Sequence, residues 1–164
     1  MISKKMSKSL NEQINKELYS AYLYLSMSAY AENENLKGTA HWMALQAKEE
    51  TGHAMKFYKY LLEQGARVEL QAIERPPVEF KSLRQLFEET LKHERKVTAS
   101  IHALTKLAKD EQDYATEIAL QWFVSEQVEE EANVEEILAK LNMVGADTRG
   151  IYLLDRELGA RAGG

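Results

Sequence analysis

Glu50-x-x-His53 sets a carboxylate and an imidazole one helical turn apart. Residues at i and i+3 share a helix face, so both side chains can be aimed at one cation. Three further acids, Glu17, Glu94 and Glu130, stand in other stretches of helical periodicity. Carboxylates bridge cations and offset their charge, while an imidazole adds a borderline donor suited to iron; affinity order alone also admits Zn(II). Acids from four helices, one of them paired with a histidine, have the makings of a dinuclear metal site inside a bundle. Taken singly, each glutamate reads as a solvated acid. The set is the signal.

The neighbours of these acids are apolar. Glu17 lies three residues after Ile14, four before Ala21 and seven before Tyr24, so it borders an apolar stripe. Glu94 has Leu91 and Val97 three residues to either side and Ile101 seven residues on, and Phe123, Gln127 and Glu130 stack at i, i+4 and i+7. Carboxylates on interior faces are costly unless paired or metal-bound.

Four long helices must position them. The spacing of Leu10, Ile14, Leu18, Tyr22 and Leu25 predicts a first helix, broken at Asn33, Asn35 and Gly38. A second is expected from about Leu36 through Trp42, Leu45, Met55 and Leu62 to a stop at Gly65. Residues 66–82, with Pro76 and Pro77, read as an extended crossover, and Ser82 with Gln85 three residues on forms a capping-box pattern. Leu83, Leu86, Leu91, Ile101, Leu104 and Leu107 carry a third helix to about Asp110. A fourth spans about Gln112 to Leu141 through Ile118, Trp122, Val128 and Ile137, Gly145 closes it, and a short fifth covers about 147–160. The fold class is all-α: a four-helix bundle of two hairpins joined by a long crossover, in one domain over 1–164 with the bundle at about 7–142. Trp42 and Trp122 are expected in the core, the methionines as gap fillers, and His41, His93 and His102 as surface or hydrogen-bonded residues. Within the run Glu129-Glu130-Glu131, Glu131 reads as a solvated acid.

With 164 residues, 45% apolar and 29% charged, the chain can bury a real core. A net charge of −5 argues against nucleic acid and anionic membranes and is compatible with cations. The absence of cysteine excludes disulfides and cysteine-bound iron–sulfur centres. With neither a signal-like N-terminus nor a membrane span in the sequence, a cytoplasmic protein is expected.

The stretches NKELYSAYLYLSM, AHWMALQAKEETGHAMKFYKYLLEQG, RVELQAIERPP and LQWFVSEQVEEEANVEEIL resemble a prokaryotic non-haem ferritin, over about Leu10 to Leu158. The resemblance implies that Glu17, Glu50 and His53 hold a first iron, with Glu50 bridging. It implies that Glu94 and Glu130 hold a second, with Gln127 nearby and Tyr24 hydrogen-bonded beside the site. Glu49, Glu126 and Glu129 match the family's extra site, which with Glu130 takes a third iron. Bacterioferritins differ: they carry Glu-x-x-His on the fourth helix, where Gln127-x-x-Glu130 stands here, and their haem-ligating Met would fall at Thr51. No haem is therefore expected. Rubrerythrins add a cysteine-bound iron module, and the small Dps-type cages lack a C-terminal fifth helix. The implied activity is oxidation of Fe(II) by O2 or H2O2 and storage of Fe(III) as a mineral in a homo-oligomeric cage of 24 subunits. Two other readings are a non-storing di-iron oxidase or peroxidase and a metal-free helical scaffold.

Overall fold

The computed structural model describes residues 2–163. It contains α1 (Lys4–Asn33), α2 (Lys37–Glu63), α3 (Leu83–Asp110), α4 (Tyr114–Val144) and α5 (Thr148–Gly159). α1 pairs with α2 and α3 with α4; α1 also meets α3, and α5 lies against α2 and α4. No helix among the described residues is long and apolar enough to cross a membrane.

Buried positions on the long helices alternate in steps of four and three. On α1 they include Met6, Leu10, Gln13, Glu17, Ser20, Tyr24, Met27 and Ala31. On α3 they include Leu83, Phe87, Thr90, Glu94, Val97, Ile101, Leu104 and Ala108, and on α4 Thr116, Leu120, Phe123, Gln127, Glu130, Val134, Ile137 and Leu141. α2 keeps the same step from Thr39 through Met43, Gln46, Glu50 and His53 to Phe57. An average of 3.5 residues keeps one seam facing the partner helices as they wind around one another.

Tyr22 and Leu25, read from the sequence as members of the α1 stripe, are exposed. Repeated steps of four advance about 40° round a helix each time, so the run from Leu10 by fours drifts off the seam. Met55, Leu62, Ile118 and Val128 also lie off the seam and face outward, and Trp122 is 39% exposed rather than core.

The helix ends follow local chemistry. Ser82 accepts from the Gln85 N–H as expected, but the Gln85 side chain accepts from the N–H of Lys81, one residue before the cap. α4 starts at Tyr114 because Asp113 accepts from the Thr116 N–H and hydroxyl, and it runs to Val144, a turn beyond Leu141. Gly145 follows at φ 57°. The α1–α2 turn passes through Asn35 at φ 58°, with Leu36 N–H donating to Ala31 and Asn35 N–H to Glu32; the αL residue satisfies carbonyls that α1 leaves free. Gln112 at φ 55° does the same after α3.

Two apolar clusters fill the bundle. One joins Met27, Met43, Phe87, Ile137 and Leu141 to Leu154 and Leu158 of α5. The other contains Leu10, Ile14, Phe57, Ile101, Leu120 and Phe123. Between them lies a polar layer.

Candidate metal centre

The polar layer occupies seam positions. Glu17 of α1, Glu50 and His53 of α2, Glu94 of α3, and Gln127 and Glu130 of α4 are all buried. Donor atoms of Glu17, Glu50 and His53 lie within 4.8 Å of one another, as do those of His53, Glu126 and Glu130. His53 joins the two groups: Nδ1 is 3.4 Å from Glu50 Oε2, and Nε2 is 3.8 Å from Glu126 Oε1.

Three glutamines hold three carboxylates in place. Gln13 donates to Glu17 Oε1 at 2.7 Å, Gln46 to Glu130 Oε2 at 2.8 Å, and Gln127 to Glu94 Oε2 at 3.1 Å. The Tyr24 hydroxyl donates to Glu94 Oε1. Glu50 differs: both its oxygens, and Oε2 of Glu17, are buried without a hydrogen-bond partner. Unpartnered buried carboxylate oxygens call for a cation or a proton.

Electrostatics agree. Burial, then the Glu50 charge, pushes Glu17 well above the ordinary carboxylate range. Burial and then the Glu94 charge do the same to Glu50, and raise Glu130 to about 7. Glu94 is also raised by burial, with Tyr24 and Gln127 opposing. These acids crowd one another, and bound cations would offset the repulsion. The donor set, rich in oxygen with one imidazole, fits iron.

Residues 7–144 match the family of the ferritin-like domain. The chain belongs to the ferritin family. Bacterial non-heme ferritin of Staphylococcus aureus (strain USA300) is 39% identical over 161 residues, spanning 98% of this chain and 97% of the relative. A probable bacterial non-heme ferritin-like protein of Haemophilus influenzae is 42% identical over 159 residues, covering 97% and 96%. An open pore ferritin from the hyperthermophilic archaeon Archaeoglobus fulgidus superposes with a TM-score of 0.98 at 49% identity, over 99% of this chain and 100% of that one. The architecture is thus the ferritin four-helix bundle with its short C-terminal helix.

Against the family pattern, the remaining site positions divide. Glu126 reaches His53, whereas Glu129 is exposed and belongs to neither donor group. Glu49 is half-buried, with Oε2 2.7 Å from Arg161 Nη2. Glu131 is not a free solvated acid: it accepts from Thr98 at 2.6 Å and lies 3.5 Å from Arg95. His93 is placed away from both groups, its Nε2 2.7 Å from Ser20 Oγ, and burial lowers it to about 4. Sequence reasoning missed Gln13, Gln46 and Arg161. The two glutamines carry a signal, polar residues at seam positions; Arg161 carries none.

Proposed function

We propose that this ferritin is an iron-storage ferroxidase of the cytoplasm. Two Fe(II) ions are its substrates, held by Glu17, Glu50, His53, Glu94 and Glu130, with Glu50 between them. Each ion gives up one electron, and the pair reduces O2 to H2O2 with uptake of two protons, or H2O2 to water. The observation that carries the reading is Glu50, buried between four helices with both oxygens unpartnered. Glutamine amides orient the outer carboxylates, so little reorganisation is needed as the ions enter. Glu49, Glu126 and Glu129, with Glu130, supply an extra site for a third iron. The assembly proposed from the family resemblance is a 24-subunit cage, and exposed apolar side chains, among them Tyr22 and Leu25 on α1 and Leu70, Ile73 and Val78 on the crossover, favour self-association.

The test is aerobic Fe(II) loading followed by gel filtration with iron detection. Iron co-eluting with a very large particle is the expected result. A dimer that oxidises Fe(II) without retaining it would mean a non-storing oxidase, and no oxidation at all would end both iron readings. Glu50→Ala and His53→Ala should lower the initial oxidation rate at least about a hundredfold, the upper end of what losing only an outer partner of a ligand costs, while assembly persists. Wild-type rates in both variants would refute the site.

A further inference from the structure

Beyond α5 the tail turns back over α2, and the Arg161 carbonyl lies 3.0 Å from Nε2 of His41. The Arg161 guanidinium then divides its donors. Nη1 donates to Gln46 Oε1 at 2.5 Å and Nη2 to Glu49 Oε2 at 2.7 Å, and the fork sits 4.8 Å from the Trp42 ring centroid. Because Gln46 Oε1 accepts from Arg161, its amide N–H must face Glu130, to which it donates at 2.8 Å. One cation from the chain terminus is thereby tied to a carboxylate of the extra site and, through an amide, to a ligand of the metal pair.

The geometry points to Arg161 as a tethered competitor for the third cation. Resting on the dinuclear reading above, it occupies Glu49 until a third Fe(II) displaces it, and it positions Glu130 through Gln46. The first two ions use Glu17, Glu50, His53, Glu94 and Glu130 and leave Glu49 paired. A third ion that takes Glu49 must break the Arg161 ion pair and free the tail from α2. The order of filling, pair first and extra site last, is thus written into the C-terminus. Anchoring of α5 needs no such fork, because Asp155 already fixes it to α2 through Gly38 and Thr39.

Anaerobic Fe(II) titration of the assembled protein by calorimetry tests this. Wild type should bind two ions tightly and a third more weakly. Arg161→Ala should tighten the third ion about fivefold, the factor for roughly 1 kcal/mol of a partly exposed ion pair. Arg161→Gln should do the same and serves if the alanine variant does not assemble. Arg161→Lys keeps a cation at Glu49 and should keep the third ion weak, which a merely structural tail residue would not produce. Arg95→Ala removes an equal charge from α3 and should leave all three affinities unchanged. Two tight ions with the third unmoved in both neutral variants, or with no third ion in them, would overturn the role of Arg161 alone. A wild type that binds no Fe(II) would overturn the proposed function and this inference with it.

Discussion

A buried carboxylate with no hydrogen bond to either oxygen is costly to keep ionised, by several kcal/mol, and Glu50, with only His53 Nδ1 at 3.4 Å, is such a group. Its presence is a cost to the metal-free fold that a bound cation would offset. Glu50→Leu should therefore raise the melting temperature of the chelator-treated protein by roughly 3–6 °C and erase the further rise expected of wild type on adding Fe(II). A lower midpoint for the leucine variant would contradict this. Glu130 adds a pH dependence. Its pKa rises from 4.5 to about 7 on folding, so the folded state holds its proton where the unfolded state has lost it. That contribution is complete below pH 4.5 and disappears as pH rises through 7. His93, lowered from 6.5 to about 4, acts in the opposite sense, so a comparison with Glu130→Gln isolates the carboxylate. The melting temperature of metal-free wild type relative to Glu130→Gln should fall by about 5 °C between pH 4.5 and 7.5; a constant difference would refute it. The buried acids were legible in the sequence because each has apolar neighbours at helical spacing. Arg161 was not, since nothing local links residue 161 to residues 46 and 49.

At the scale of elements, α2 begins at Lys37, and Leu36 before it offers no side-chain cap. Asp155 of α5 supplies one, accepting from the N–H groups of Gly38 and Thr39 at 3.0 and 2.8 Å and from the Thr39 hydroxyl. Loss of a cap costs about 1 kcal/mol, so Asp155→Ala should lower the melting temperature by roughly 2–4 °C. Gly38→Ala should cost more, because its Cβ would fall 1.6 Å from the Asp155 carbonyl oxygen, which is backbone. The measurement is a pair of thermal melts, and an alanine variant as stable as wild type at either position would exclude the contact. Helix number, crossover and turns could be read from Pro76, Pro77, Ser82 and Gly145. Which face turns inward could not: the series ending at Tyr22 and Leu25 fits helical spacing yet leaves the seam. Trp122 misled for a further reason, since an aromatic half-covered by Lys56 looks apolar in sequence and is 39% exposed in the fold.

For the whole molecule, the polar layer divides the interior into two apolar clusters, so the site is braced from both ends of the bundle. The exposed apolar residues of α1 and the crossover have no such cover within one chain. Leu25→Glu together with Tyr22→Glu should move the protein in gel filtration from a large particle to small species while the helical circular dichroism is retained; unchanged elution would show that this face is not used in assembly. The four-and-three alternation has a last consequence, for insertions and deletions. One residue added within a helix ahead of one of the buried site residues rotates that residue about 100° out of the interior, whereas seven added residues return it to the same face about 10 Å further along. Length changes between the ligands and the turns should thus be tolerated in sevens, applied to all four helices together, which would slide the whole centre along the bundle without dismantling it.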